Sequence, residues 1–294
     1  EFIGVKVAGD HVYAVRTTLR AEVLRAIDAP LPDHDPETVS DIVAALVREL
    51  GDGAARVGVA VGGHVSASAV RRGPFLDWTD VPFGALLAQR LGSAPVLSND
   101  VVAVTEATHW FGQARGRDRF ALVTIGAGTG LGLVTHGRIV MDDDVGLGLV
   151  GHLPLDPFGP ICPQGHRGCA QAVLTTEAIT AAASTALGRP LKHAEVLDLA
   201  EAGDPAARRV VDDAARALGH FIALVANLTM PQLIVVGGEG AGLVRVGEVA
   251  LRQALDGDRD PLAAPVPISV QDGGLAEWAR GAAVIAIQDF VRAR

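Results

Sequence analysis

Both cysteines of this 294-residue chain lie in one short segment that also holds two histidines. Imidazole nitrogen and thiolate sulfur are the ligands of a tetrahedral zinc site. His152, Cys162 and Cys169 stand at spacings that turns allow, and they are our candidate zinc ligands. The alternatives are a disulfide or two small buried apolar residues. A fourth ligand is missing, because Gln164 stands at the obvious position, so we expect zinc to be weakly bound or absent.

The composition indicates a large core built from aliphatic side chains. Hydrophobic residues make up 49% of the chain, but aromatic residues make up only 4%. No apolar run approaches the roughly 18 residues of a membrane span, and no basic, apolar signal peptide stands at the start. Two cysteines cannot supply a disulfide framework. We therefore expect a soluble, cytoplasmic protein with no membrane partner.

The acidic balance weighs against nucleic acid as a direct partner of this chain. Its formal net charge is −9, whereas binding to a phosphate backbone needs a basic face. The chain begins with Glu1 rather than methionine, which is compatible with a further segment upstream. We expect DNA binding only through such a segment.

Hydrophobic periodicity predicts strands that alternate with helices in two similar halves. Each half opens with strands in hairpin register and continues with helices and buried parallel strands. In open α/β sheets the carboxyl ends of the strands hold ligands. The predicted strands span residues 2–7, 10–15, 21–26, 57–61, 95–97, 120–125, 131–135 and 233–236. The predicted helices span residues 37–50, 82–91, 101–111, 175–187, 206–227, 242–255 and 276–294.

Glycine-rich turns follow two of the predicted strands. The run at residues 126–132 is the densest, and successive glycine amides are able to cradle a phosphate. Ordinary β-turns have the same composition, and the lysine of a P-loop is missing. Gly237 and Gly238 suit either a nucleotide or a plain tight turn.

A polar turn, Ser98-Asn99-Asp100, follows another predicted strand. A carboxylate there would accept a proton from a substrate hydroxyl. The alternative is a helix N-cap, since Asn and Asp both serve that role at the start of a helix.

The order of these motifs is similar to that of the ROK family (repressors, open reading frames and kinases). The resemblance runs from about residue 2 to the end, and its most specific parts are residues 99–100, 126–132, 151–152 and 162–169. It implies an α/β, actin-like or hexokinase-type (ribonuclease H-like) duplicated fold with two α/β lobes and a cleft. We expect a smaller lobe at 1–112 and a larger lobe at 113–278 that carries the zinc-motif segment 151–171. The terminal helix, at about 279–294, would pack back on the smaller lobe.

The same resemblance implies the site residues. Asp100 matches the catalytic base of the family's sugar kinases, which takes the proton from the sugar 6-hydroxyl during phosphoryl transfer from ATP with magnesium. The positions that match sugar contacts are Gly63, Asn99, Asp100, His152 and Gln171. The positions that match nucleotide or phosphate contacts are Gly126, Gly128, Thr129, Gly130, Gly237 and Gly238. The positions that match zinc ligands are His152, Cys162 and Cys169, with the fourth lost at Gln164.

Four departures from the kinase pattern fall in these motifs. Lys6 replaces the aspartate that helps to place magnesium, and Leu149 and Gln171 each replace a glutamate that binds sugar. Gln164 replaces a zinc-binding cysteine. The resemblance therefore implies that the residues for binding phosphate and magnesium are partly lost, while most of the sugar-binding residues are retained.

We therefore expect the sugar-sensing and dimerisation domain of a ROK transcriptional regulator, such as a repressor of carbohydrate metabolism, with a degenerate kinase site and no activity of its own. The expected partners are a sugar or sugar phosphate and further copies of the chain, as a homodimer or dimer of dimers. DNA would be bound only through an upstream winged helix-turn-helix. The alternative is a glucokinase-like enzyme that phosphorylates a hexose or N-acetylhexosamine with ATP and magnesium. A decayed scaffold that binds neither sugar nor nucleotide is a third interpretation.

Overall fold

The computed structural model describes residues 1–51 and 53–293. The chain forms two compact units. Unit 1 comprises Glu1–Gly116, Ile139–Leu147 and Gly273–Arg294, and unit 2 comprises Arg117–Arg138 and Gly148–Asp272. Within the described ranges, no helix is both long and apolar enough to span a bilayer.

Unit 1 is built on a five-stranded mixed sheet. The strands of this sheet are β1 (Phe2–Val7), β2 (His11–Thr17), β3 (Val23–Pro30), β4 (Val57–Val61) and β8 (Val96–Asn99). They lie in the order β3-β2-β1-β4-β8, in which β1 pairs antiparallel with β2 and parallel with β4, and β4 pairs parallel with β8. A smaller sheet is formed by β5 (His64–Val65), β6 (Val70–Gly73) and β7 (Trp78–Val81). The helices of unit 1 are α1 (Pro36–Leu50), α2 (Phe83–Leu91), α3 (Asp100–Phe111) and α10 (Gly274–Arg292).

Strand β1 carries different side chains on its two faces, because successive residues of a strand point to opposite sides. Ile3, Val5 and Val7 belong to the apolar core that also includes α1 and α2. The opposite face carries Gly4, where a Cβ atom would overlap the Ala279 carbonyl of helix α10. Helix α10 comes this close at Gly4 and at Gly58 of β4, where a Cβ atom would likewise overlap the Ala282 carbonyl.

Unit 2 has a second five-stranded sheet, with the strand order β11-β10-β9-β12-β13. Its strands are β9 (Phe120–Ile125), β10 (Thr129–Thr135), β11 (Arg138–Ile139), β12 (Ile234–Gly237) and β13 (Ile268–Val270). Its helices are a 3-10 helix (Leu149–His152), α4 (Ala170–Leu174), α5 (Thr176–Leu187), α6 (His193–Glu201), α7 (Pro205–Thr229), α8 (Leu243–Val246) and α9 (Glu248–Gly257). Strand β9 is fully buried, and it pairs antiparallel with β10 and parallel with β12.

Two predicted elements differ from the structure. The strand expected at 21–26 begins only at Val23, because Ala21 has a positive φ of 57° in the turn before it. The helix expected at 242–255 is two helices, α8 and α9, separated at Gly247. A Cβ atom at Gly247 would overlap the Cβ of Ala215, so this glycine allows the chain to turn tightly against α7. The three-stranded sheet and helix α6 were not among the predicted elements.

Candidate functional site

The carboxylate of Asp100 forms a buried ion pair with Lys6 of strand β1. Asp100 begins helix α3 directly after strand β8, and strand β4 lies between β1 and β8 in the sheet. The Lys6 and Asp100 side chains are only 7% and 12% exposed. Asp100 Oδ2 accepts a hydrogen bond from Lys6 Nζ, and Oδ1 accepts one from the Val101 amide at 2.8 Å. Both carboxylate oxygens are therefore engaged within the protein.

The Lys6 ammonium has a second neighbour in unit 1. Its Nζ lies 5.5 Å from the centroid of the Trp278 ring on helix α10. An ammonium over an aromatic face is attracted by the ring quadrupole. Lys6 is thus held from two sides, by a carboxylate and by an indole.

Asn99 is the N-cap of helix α3. Its Oδ1 accepts from the Val102 amide at 3.1 Å, and its Nδ2 donates to the Gly63 carbonyl at 2.8 Å. Gly63 has a φ of +122°, and a side chain there would overlap the Arg72 carbonyl. The capping interpretation of this turn is confirmed, and the structure brings Asn99 and Gly63 together. The sugar contacts at these residues and at Asp100 stay predictions.

His152, Cys162 and Cys169 place their donor atoms within 4.8 Å of one another in unit 2. His152 Nδ1 lies 3.9 Å from the Sγ atom of each cysteine. A bridge between Pro154 and Cys169 joins the two ends of the segment. With bonds of about 2.3 Å to sulfur and about 2.0 Å to nitrogen, ligands of tetrahedral zinc lie about 3.5–3.8 Å apart. The two separations of His152 from the sulfurs thus exceed what zinc requires by only about 0.4 Å.

Among the described residues, the cluster has no fourth protein ligand at the same close distance. His166 Nδ1 lies 3.6 Å from Cys162 Sγ, and the rings of His166 and His152 are 4.5 Å apart. His166 does not belong to the group whose donor atoms all lie close together, and the amide side chain of Gln164 offers neither sulfur nor imidazole nitrogen. The residues present therefore fit zinc with three protein ligands.

Local hydrogen bonds favour the zinc-binding form of one thiol. Burial would raise the pKa of Cys162, but the backbone amides of His166 and Gln164 donate to its sulfur, and the pKa is lowered to about 7. Burial and the nearby His166 lower the pKa of His152. A thiolate and a neutral imidazole are the forms that bind zinc.

Gln171 is the second residue of helix α4, just after Cys169. The Ala170 amide donates to the Leu153 carbonyl at 2.9 Å, next to His152 in the chain. This hydrogen bond holds the start of α4 beside the segment that carries His152. A shared role of His152 and Gln171 in sugar binding stays a prediction.

The predicted phosphate residues lie in two places, at the hairpin between β9 and β10 and at the end of the neighbouring strand β12. Gly126 and Gly128 lie in the turn between β9 and β10, and Thr129 and Gly130 are the first residues of β10. Gly237 ends the parallel strand β12 and Gly238 follows it, and the Gly240 amide donates to the Ile125 carbonyl at 2.9 Å. The two glycine-rich turns are thus brought together, while their contact with a phosphate stays a prediction.

Sequence reasoning missed two residues of these sites. Trp278 lies beside Lys6, and the carboxylate of Glu239 lies against Gly126. For Glu239 the sequence offers one signal, a charged residue within a run of glycines. For Trp278 it offers none, because Trp278 is distant from Lys6 in the chain.

Comparison with protein families identifies the fold and its lineage. The model of the ROK family matches residues 2–288 of the chain. The chain belongs to the ROK family. This ROK chain is similar to a glucokinase of Thermotoga maritima, with 31% identity over 270 residues that cover 85% of this chain and 84% of the relative. It is also 25% identical over 255 residues to the transcriptional dual regulator NagC of Escherichia coli, covering 81% of this chain but 63% of the regulator.

A solved structure confirms the expected architecture of the ROK chain. The ROK hexokinase of Thermus thermophilus superimposes with a TM-score of 0.81 at 28% identity, and the match covers 99% of both chains. The α/β, actin-like or hexokinase-type fold predicted from the resemblance is therefore confirmed. Kinases and regulators share this fold, so the function must be argued from the site.

Proposed function

We propose that this chain binds a sugar without phosphorylating it, as the effector-binding domain of a ROK transcriptional regulator. The observation that carries the proposal is the buried ion pair of Lys6 with Asp100. The relatives by themselves favour a kinase, since the Thermotoga glucokinase matches with higher identity and coverage than NagC does. The proposal therefore rests on the residues of this chain.

Asp100 is poorly arranged to act as a general base. A base must lie within hydrogen-bond reach of the proton that it removes. In this chain Asp100 Oδ2 is held by Lys6, and Oδ1 is held by the Val101 amide. A substrate hydroxyl would find only the remaining lone pairs of these oxygens, beside an ammonium that already compensates the carboxylate charge.

Magnesium does not fit the residues around this ion pair. Magnesium is bound through carboxylates and phosphates, as a hard cation. Lys6 instead presents a positive charge, which repels a divalent cation, and it takes up one oxygen of Asp100. No step through bound magnesium follows from this arrangement.

Sugar binding needs only polar groups that can exchange hydrogen bonds with hydroxyls. Asn99, His152 and Gln171 supply amide and imidazole groups, and the ROK resemblance assigns each of them to a sugar. In the proposed role, sugar binding would change the association of this chain with further copies, and a DNA-binding part would read the operator. The similarity to NagC, of whose length this chain spans 63%, supports that role.

Zinc would have a structural role in this proposal. His152, Cys162 and Cys169 would hold it and tie the segment before helix α4 into one piece. The ion would supply coordination bonds that stabilise the fold. Because only three protein residues would coordinate the ion, we expect zinc to bind more weakly than at a site with four protein ligands.

Titration calorimetry with glucose, N-acetylglucosamine and N-acetylmannosamine tests the proposal. We expect at least one of these sugars to bind, and we expect His152→Ala to weaken that binding at least tenfold. Leu228→Ala, which truncates an exposed residue of helix α7, serves as the control and should leave the affinity unchanged. Absence of binding to every sugar tried would contradict the proposal and support a scaffold.

A second candidate function is an active sugar kinase. It is favoured by the Thermotoga glucokinase match and by the retained Asp100. A coupled assay for sugar-dependent ADP formation, run on the wild type and on Asp100→Asn, decides between the two functions. Turnover that Asp100→Asn abolishes would establish the kinase and refute the sensor.

A further inference from the structure

The turn after strand β12 places a carboxylate directly on the glycine-rich loop. Glu239 stands between Gly238 and Gly240, and its Oε2 lies so close to Gly126 that a Cβ atom at residue 126 would overlap it. The nearest neighbours of that position are all atoms of the Glu239 carboxyl group. Residue 126 must therefore be glycine for this carboxylate to approach so closely.

The backbone on both sides of Glu239 is fixed against the same strand end. The Gly240 amide donates to the Ile125 carbonyl at 2.9 Å. Gly238 has a φ of +93°, and any side chain there would overlap that carbonyl. The main chain of Glu239 is thus held in place beside the loop, while its side chain is exposed to solvent.

The glycine-rich loop has the features of an anion site. Thr129 is only 8% exposed, and its Oγ1 has no hydrogen-bond partner among the described residues. The Gly126 carbonyl accepts from the Thr176 amide at 3.0 Å, which brings the start of the 12-residue helix α5 to the loop. Glycine backbone, a helix N-terminus and an unpartnered buried hydroxyl together favour a ligand with anionic oxygens.

The geometry points to Glu239 as a residue that discriminates against phosphate-bearing ligands at this loop. A phosphate on the loop would meet the negative charge of the carboxylate at close range. Two like charges about 4 Å apart in water repel by an amount equal to about a fivefold loss of affinity, and a polyphosphate carries several charges. A neutral sugar meets no such repulsion. This inference goes beyond the proposed function, because it holds for a sensor and for a slow kinase alike.

Calorimetric titration of the full chain with inorganic tripolyphosphate and with ATP, without sugar, tests the inference. Glu239→Gln keeps the shape of the side chain and removes its charge. We expect this variant to bind tripolyphosphate at least tenfold more tightly than the wild type, by an amount that shrinks as salt is added. Glu248→Gln is the matched control, since Glu248 is an exposed carboxylate in the first turn of α9 and makes the same change in net charge.

Equal affinities of Glu239→Gln and the wild type, including no detectable binding by either, would overturn the inference. So would an equal gain in Glu248→Gln, because net charge alone would then explain the effect. The melting temperature of each variant shows that it is folded, and Glu239→Ala provides a second neutral variant. Phosphorylation of a sugar by the wild type would refute the proposed function but would leave this inference standing.

Discussion

Replacing Lys6 by methionine should destabilise unit 1 by about 3–5 kcal/mol, the usual cost of breaking a buried ion pair from one side. The side chains of Lys6 and Asp100 are 7% and 12% exposed. Methionine retains most of the volume but leaves Asp100 as a buried charge without its counter-ion. The loss of the ammonium 5.5 Å from the Trp278 ring adds about 0.5–1 kcal/mol.

Tryptophan fluorescence reports on the unfolding of unit 1, where this loss of stability is expected. All three tryptophans of the protein, Trp78, Trp110 and Trp278, belong to unit 1. Urea unfolding followed by fluorescence would give the free energy of unfolding for the wild type, for Lys6→Met, for Asp100→Asn and for the double variant. We expect the double variant to be at least about 2 kcal/mol more stable than the sum of the single changes predicts, because it leaves neither charge unpaired.

An exposed ion pair of the same unit provides the control. The side chains of Arg25 and Glu49 are 51% and 57% exposed, so Arg25→Met should cost less than about 1 kcal/mol. If Lys6→Met cost no more than Arg25→Met, or if the two single changes were simply additive, the ion pair would not hold Asp100 and the case against a catalytic base would fail.

Three further predictions concern packing, metal and sugar specificity. Gly4→Ala should destabilise unit 1 by at least about 1–3 kcal/mol, because its Cβ would overlap the Ala279 carbonyl. Gly257→Ala, at a helix position with open space, should be neutral or stabilising by up to about 1 kcal/mol, and equal effects in urea unfolding would contradict this packing. Gln164→Cys should raise the zinc content towards one per chain by elemental analysis, and chelation should then lower the melting temperature. A fully loaded wild type that loses zinc in His166→Ala would instead make His166 the fourth ligand. The variant Gln171→Glu should change the order of sugar affinities in calorimetry while leaving the fold intact, and an unchanged order would place Gln171 outside the sugar site.

The alternation of apolar and polar residues predicted most of the fold, because nearly every central strand has at least one buried face. Strand β3 was misplaced because it lies at the sheet edge with most of its side chains exposed. Such a strand shows no burial pattern that marks its ends. The break at Gly247 depends on the close approach of Ala215, which lies 32 positions earlier, and no local pattern records it.

The candidate site was only partly predictable for the same reason. The sequence showed that Lys6 departs from the kinase pattern and that Asp100 is retained, but not that the two side chains meet. Their contact joins residues 94 positions apart and depends on how β1, β4 and β8 order themselves in one sheet. The approach of Glu239 to Gly126 likewise depends on the pairing of β12 with β9. Spacing did predict the cluster of His152, Cys162 and Cys169, because turns within one segment bring them together.

Sugar-dependent ADP formation by the wild type, compared with Asp100→Asn in the same assay, tests the central claim most directly. The buried Lys6–Asp100 pair predicts no difference between the two proteins with glucose, N-acetylglucosamine or N-acetylmannosamine in the presence of ATP and magnesium. Sugar kinases of ordinary efficiency would turn over at about 1–100 per second. Turnover in that range by the wild type, lost in Asp100→Asn, would contradict the account and show that Lys6 leaves the base free to work.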